Sequence, residues 1–232
     1  MMNLFYAYPD DIYPSELSIR GQEAIHIIRV LRFGEGDEIF VTDGKGSRFL
    51  CVINRIGKQE LTAEIREKVI EERPSPFLTL CLGIIKKRDR LELAVEKAVE
   101  LGADELILFR GEYSQKENSR LDRLEAIVLS AMKQSLRTWL PSVYHENSLE
   151  RALTYRKERS LLIVADETTN PDVSQIKEAA NYFLVVGPEG GFSDNERKVL
   201  NDREAIPFSL GSKRLRTETA AIVMTYHFKS NF

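Results

Sequence analysis

The sequence predicts an α/β protein in two parts: a small, mostly β unit, then a larger unit built on a parallel sheet. Three observations predict it. Residues 1–72 carry short alternating apolar stretches separated by close turns. After Pro74-Ser75-Pro76 the rhythm becomes strand–helix alternation, the signature of a parallel sheet covered by helices. Near the C-terminus two apolar runs each end in a glycine-bearing polar loop, at Gly187 and at Gly211. A length of 232 residues suits one mid-sized domain plus a small one, and 43% hydrophobic residues supply a core. The net charge of −3 gives no global attraction to nucleic acid, so any basic patch has to be local.

In the first part, residues 1–72, strands are expected at Glu38–Thr42, around Phe49, Cys51 and Ile53, and around Leu61, Ala63 and Ile65. The turns between them are Gly34-Glu35-Gly36-Asp37, Asp43-Gly44-Lys45-Gly46 and Gly57-Lys58-Gln59. One helix, about 22–31, puts Ala24, Ile27, Ile28 and Leu31 on one face. Short strands joined this closely suggest a small barrel. The prolines at 74 and 76 mark the start of the second part, residues 73–232.

The second part opens with a strand at Phe77–Ile84 and the basic loop Lys86-Lys87-Arg88-Asp89-Arg90. A helix follows with Leu91, Ala94, Val95, Ala98 and Leu101 at helical spacing, closed by Gly102. Next come a strand at Glu105–Phe109, a helix near 119–137 stopped by Pro141, a short helix at about 148–156, a strand at Leu161–Ala165 and a helix at about 173–180. A strand ending at Val186 and another at Pro207–Leu210 then flank a helix whose start reads as a capping box, Ser193 with Glu196. The terminal helix, 217–228, is apolar on most faces, as a helix buried in the core or against a second copy is.

Two strands that each end in a glycine loop suggest the walls of one cleft, because ligands of open α/β sheets sit outside the carboxyl ends of the strands. In Gly187-Pro188-Glu189-Gly190-Gly191 the glycines permit close backbone approach. Pro188 lacks the N–H of a phosphate cradle and Glu189 opposes an anion, so the loop suits a neutral or cationic ligand, or is a tight turn holding none. Neither nucleotide fingerprint is present. Cys51 and Cys81 stand apart, without C-x-x-C or neighbouring His, and read as reduced core thiols. His26 is expected to pack or cap within the barrel helix, His145 and His227 have no metal-ligand spacing, and no metal is expected. No secretory pattern begins the chain, and its apolar runs are far too short to span a bilayer, so a cytoplasmic protein without membrane contact is expected.

Several motifs resemble one family. His26-Ile27-Ile28-Arg29-Val30-Leu31-Arg32 with Gly36-Asp37 and Asp43-Gly44 is similar to the N-terminal signature of RsmE-type 16S rRNA (uracil-N3)-methyltransferases. So are Glu96-Lys97-Ala98-Val99-Glu100-Leu101-Gly102, Gln134-Ser135-Leu136-Arg137 with Pro141, Gly187 to Ser193, and Leu215-Arg216-Thr217-Glu218-Thr219-Ala220. They occur in order along nearly the whole chain. The chain departs from the family pattern at Tyr113, Leu108, Ser212 and Arg214.

The resemblance implies a PUA-like β-barrel, a SPOUT-type domain with a parallel sheet and a C-terminal trefoil knot, a homodimer, and S-adenosyl-L-methionine as methyl donor to 16S rRNA of the small ribosomal subunit. It places the donor against Ala165, Gly187, Glu189, Gly190, Gly191, Leu210, Gly211, Leu215 and Thr217. The sulfonium charge of that donor agrees with the acidic loop. For methylation of uracil N3, Arg216 is the candidate cation facing the anion that develops on the base, and Glu189 or Glu218 the proton acceptor. Alternatively, Glu218 simply favours a helix N-terminus and Arg216 pairs with it or with phosphate. Candidate RNA contacts are Arg29, Arg32, Lys45 and Arg48 in the barrel, then Lys86, Lys87, Arg88, Arg90, Arg137, Lys213 and Arg214. Competing readings are a ribose 2′-O or other-base methyltransferase, and a non-catalytic RNA-binding protein.

Overall fold

A computed structural model describes residues 3–114, 120–167, 176 and 178–230. The chain forms two compact units, one of Met1–Arg73 with Met132–Leu140, the other of Pro74–Ala131 with Pro141–Phe232.

In the first unit, strands β1 (Leu4–Tyr6), β2 (Glu16–Arg20), β3 (Glu38–Thr42), β4 (Ser47–Ile56) and β5 (Glu60–Ile70) form one sheet in the order β1-β3-β4-β5-β2. β1 runs parallel to β3 and the remaining pairs are antiparallel. Alternation along β4 points Phe49, Cys51 and Ile53 into a core shared with Leu17, Ile39 and Leu61. Register shifts at Leu50/Cys51 and Ile53/Arg55 bend β4 against β5, the kind of irregularity that curls a sheet. The expected helix splits: α1 (Gly21–Ile25) continues as a π turn over His26–Val30, where Leu31 N–H donates to His26 O at 3.0 Å. The widened turn leaves His26 exposed rather than packed.

The segment 132–140 is part of this unit's packing. Gly46 N–H donates to Thr138 O at 3.0 Å, Thr138 Oγ1 donates to Glu71 Oε2 at 2.9 Å, and Trp139 Nε1 donates to Glu71 O at 3.1 Å. Lys133 Nζ reaches Glu23 Oε2 at 2.6 Å in a half-buried pair. The Arg73 guanidinium lies 5.1 Å from the Trp139 ring centroid. A Trp occupied in this way is a packing residue.

In the second unit six strands form an all-parallel sheet: β6 (Phe77–Gly83), β7 (Glu105–Phe109), β8 (Ser142–Glu146), β9 (Leu161–Ala165), β10 (Asn181–Val186) and β11 (Ile206–Phe208). Their order is β11-β9-β10-β6-β7-β8, so the chain reverses direction across the sheet at the β6/β10 junction. β6, β7 and β10 are buried almost throughout, as strands covered on both faces must be. Helices α2 (Arg88–Glu100), α3 (Leu121–Gln134), α4 (Leu149–Ala152), α5 (Asp194–Asp202) and α6 (Thr217–Ser230) complete the unit, α4 running on as a 3-10 turn at Leu153–Tyr155. β8 is an edge strand that the sequence reading passed over, and residues 173–175 and 177 of the helix expected at 173–180 lie outside the described residues.

α6 packs on β6, β10 and α2 through Ala221, Met224 and Phe228. Its far end is anchored by Lys229 Nζ, which donates to Pro76 O at 2.6 Å and to the buried Asp104 Oδ2 at 3.1 Å. Both thiols are buried, and burial pushes Cys51 up to about 12.

Gly46 and Gly36 both have positive φ, but a Cβ at Gly46 would lie 2.5 Å from Trp139 Cζ2 whereas one at Gly36 meets nothing. Gly36→Ala is therefore expected to lower stability by about 1–2 kcal/mol from backbone strain alone. Gly46→Ala adds an overpacking cost of about 1–3 kcal/mol. Equal losses in urea unfolding would contradict the packing assigned to Trp139.

Candidate active site

A cavity of about 450 Å³ opens outside the carboxyl ends of β9, β10 and β11. Ala165, Asp166 and Glu167 line it from the end of β9, Val186 to Glu189 with Gly191 and Phe192 from the β10 loop, and Leu210, Gly211, Lys213 to Glu218 and Ala220 from the turn leading into α6 and its start. This is where the strand-end rule places a ligand, beside the reversal in strand order.

The β10 loop is seated by two glycines on neighbouring strands. A Cβ on Gly83, the last residue of β6, would collide with Pro188 N and lie 2.6 Å from Pro188 Cδ. A Cβ on Gly111, just past β7, would lie 2.7 Å from Pro188 Cγ. Both values are below any real Cβ contact, so the proline sits at this depth only because both side chains are missing. Beyond it the loop turns through Gly191, whose N–H donates to Pro188 O at 2.9 Å and whose φ is +73. It then enters α5 through the capping box: Glu196 N–H donates to Ser193 Oγ at 3.1 Å and Ser193 N–H to Glu196 Oε2 at 2.8 Å. Glu196 Oε1 also accepts from Glu112 N–H at 3.2 Å, tying the segment after β7 to α5.

The charged groups divide by depth. Glu218, in the first turn of α6, is buried and Arg90, in the first turn of α2, is half-buried. Lys213, Arg214, Arg216 and Arg197 are exposed. Arg90 joins the two acids: Nη1 lies 3.4 Å from Glu189 Oε1, and Nε lies 3.5 Å from Glu218 Oε1. Glu189 Oε2 accepts from Lys86 N–H at 3.3 Å. Glu218 Oε2 is buried with no hydrogen-bond partner among the described residues. The Arg214–Glu167 pair, 3.4 Å and exposed on both sides, contributes little.

Of the donor-binding residues expected from sequence, Ala165, Gly187, Glu189, Gly191, Leu210, Gly211, Leu215 and Thr217 all line this cavity. Gly190 does not; a Cβ there would meet Tyr113 Cβ at 3.1 Å, so it faces the segment after β7. The three catalytic candidates Arg216, Glu189 and Glu218 line it together. Among the residues read as RNA contacts, Arg90 turns into the cavity wall, while Lys213 and Arg214 stand exposed and also border the cavity. Lys86, Lys87 and Arg88 are exposed between β6 and α2, with Arg88 Nε 2.7 Å from Glu92 Oε1. In the other unit Arg29, Arg32 and Lys45 are exposed, Arg48 pairs with Glu71 at 3.4 Å and Arg137 is half-buried. Sequence reasoning missed Asp166, Phe192, Arg197 and the roles of Gly83 and Gly111. For Arg90 a signal existed: positions 90, 94 and 98 share one helix face, and Ala94 and Ala98 are fully buried.

Residues 71–228 match the RNA methyltransferase domain family, and residues 19–66 match the RNA methyltransferase PUA domain family. Ribosomal RNA small subunit methyltransferase E of Aquifex aeolicus is 32% identical over 225 residues, covering 95% of this chain and 96% of that one. The crystal structure of ribosomal RNA small subunit methyltransferase E from Neisseria gonorrhoeae bound to S-adenosyl methionine superposes with a TM-score of 0.90 at 25% identity, covering 100% of this chain and 98% of that one. The SpoU methyltransferase AviRb from Streptomyces viridochromogenes in complex with AdoMet, at TM-score 0.50, 12% identity, and coverage of 100% and 83%, shares the fold alone. The larger unit is thus a SPOUT-type sheet and the smaller one a PUA-like barrel, the pairing of an RNA methyltransferase domain with its PUA domain. More narrowly, the chain belongs to the ribosomal RNA small subunit methyltransferase E family.

Glu92 fixes the turn of α2 that carries Arg90. Its carboxylate accepts from Arg123 (Nη2 at 2.8 Å, and Nε) and from Arg88, and these bonds hold it down at about 2. A depressed carboxylate stabilises the fold above the unfolded-state value and loses that contribution as pH falls through the folded one. The stability gap between the parent protein and Glu92→Gln, about 1 kcal/mol or less for a pair this near the surface, is expected to narrow from about pH 5 toward 2. A gap independent of pH in urea titrations would contradict it.

Proposed function

We propose that this protein transfers a methyl group from S-adenosyl-L-methionine to N3 of a specific uracil in 16S rRNA of the small ribosomal subunit. The carrying observation is the glycine-walled cavity at the ends of β9, β10 and β11 in a chain of this family. The residues present fit the donor. A volume of about 450 Å³ suits a small-molecule site. The backbone at Gly191 and Gly211 is open to close approach, Gly187 makes room for the Phe192 ring, and the wall carries Glu189, which favours a cation.

When bound, the donor supplies a methyl on positively charged sulfur. Ala165, Gly187, Glu189, Gly191, Leu210, Gly211, Leu215 and Thr217 would hold it, with Gly190 bracing the loop from outside. The chain's own contribution is orientation in the cavity. Arg216 faces the negative charge that grows on the uracil oxygens as the imide proton leaves, and Glu189 or Glu218 takes that proton. Uracil N3 lies on the Watson–Crick edge, so the base reaches the cavity unpaired or flipped out. In this reading residues 1–72 are the RNA-binding barrel and 73–232 the methyl-transfer domain. Arg29, Arg32, Lys45, Arg48, Lys86, Lys87, Arg88, Arg137, Lys213 and Arg214 meet the phosphates, and Arg90 serves the cavity instead.

The C-terminal trefoil knot belongs to the same reading, supported by β11 lying outside β9 before α6 returns to pack on β6 and β10. A homodimer is supported by apolar side chains left outward on the packed pair α2 and α6, Leu93 at 43% and Tyr226 at 57% exposure. No helix among the described residues is long and apolar enough to cross a membrane, and we place the protein in the cytoplasm with its rRNA substrate.

Incubating unmodified small subunits with the protein and donor should yield 3-methyluridine in the digested rRNA; a 2′-O-methylated nucleoside, or no methylation, would contradict the proposal. Gly83→Ala should weaken donor binding in calorimetry by about tenfold or more, because Pro188 must move out of the wall by more than the roughly 1 Å that costs a site its geometry. Unchanged affinity would show that the seating of Pro188 does not govern the donor site.

A further inference from the structure

Resting on the reading above, we infer that Glu218, and not Glu189, takes the imide proton, and that Arg90 is the residue that positions it. Both acids line one cavity and both touch Arg90, but their remaining valences differ. Glu189 has both oxygens engaged, Oε1 by Arg90 and Oε2 by Lys86 N–H, and its side chain is 38% exposed. Glu218 is 6% exposed, touches Arg90 through Oε1 only, and holds Oε2 buried without a donor among the described residues. A carboxylate oxygen buried this way is costly and is an acceptor waiting for a donor. The terminal torsion of a glutamate is broad and near two-fold, so the two oxygens exchange places and one of them always lacks a donor.

The surroundings hold Glu218 in place. It sits in the first turn of α6, where the helix dipole favours negative charge, and that helix is pinned at its other end by Lys229. Arg90 reaches it from α2, itself fixed by Glu92, and so locks the carboxylate across two helices. In the step, the N3–H bond breaks and an O–H bond forms on Glu218. The pair left on N3 bonds the methyl carbon as the carbon–sulfur bond breaks toward sulfur. The sulfonium becomes a neutral thioether, and the proton on Glu218 later passes to water.

The test uses the full chain with small subunits and donor, and compares Glu218→Gln, Glu189→Gln, Arg90→Gln and Arg90→Lys. Glu218→Gln should lose about 10²–10⁴-fold in kcat, the range for a lost general base, with donor affinity in calorimetry held within about threefold. Its thermal midpoint without ligand should be unchanged or higher, since a buried, half-satisfied charge has been removed. Glu189→Gln should act chiefly on donor affinity. Arg90→Gln should lower kcat by about tenfold or more, and Arg90→Lys, which keeps the charge but not the two-nitrogen reach, should restore only part of it. A midpoint several degrees lower in Glu218→Gln, a loss residing in its donor affinity, or a kcat loss that follows Glu189 would overturn the assignment. Absence of methyl transfer by the parent protein would instead overturn the reading of function on which it rests.

Discussion

A proline ring lying where two glycines leave out their side chains is the contact on which the rest of the site depends. β6 and β7 are adjacent strands, and Gly83 and Gly111 stand at their ends. Pro188 fills the room so made, and the loop after β10 is carried to the depth at which Gly187, Glu189 and Gly191 face the cavity. The loop then has no freedom to drift, because its far end is the N-cap of α5 and that cap is tied to Glu112. A parallel sheet supplies the position and the glycines supply the depth.

The electrostatics follow from that placement. Once Glu189 is fixed at the wall, Arg90 can bridge it to Glu218, and three elements distant in sequence share one guanidinium. Arginine suits this place because its planar fork carries several donors at fixed angles, where lysine offers a point charge. Exposed cations stand at the mouth and a buried carboxylate oxygen lies within. Buried charge of this kind is a cost to folding, and proteins keep such costs where chemistry needs them. The barrel is satisfied differently: a segment from much later in the chain packs on its β3–β4 turn and on Glu71 and Glu23, held by Thr138, Trp139 and Lys133.

What was legible in the sequence was local. Ser193 with Glu196 announced a helix start, and the structure has both halves of the box. β3, β7 and β9 fall where alternation or apolar runs placed them, and α6 starts at Thr217 as expected. The cleft was suggested by two glycine loops following two strands, and the resemblance to a family supplied the residues that gather at it. What stayed hidden depends on contacts between segments far apart. Nothing around Gly83 reveals that a proline from another strand end will rest on it. β1, of three residues, is too short for alternation to register, and β8 lies at a sheet edge with mixed burial. The π turn at His26–Val30 has no recognisable signal in composition, and Arg90 was grouped with its basic neighbours although its helix face sets it apart.

The account stands on the cavity being the donor site. A crystal structure of the protein with S-adenosylhomocysteine tests that most directly. The ligand is expected between the loop 187–191 and the turn 210–217, with Pro188 still seated against Gly83 and Gly111 and Glu218 within reach of the opening where the base must enter. Ligand bound elsewhere on the molecule, or a cavity that admits it only after Pro188 has left its seat, would contradict the account.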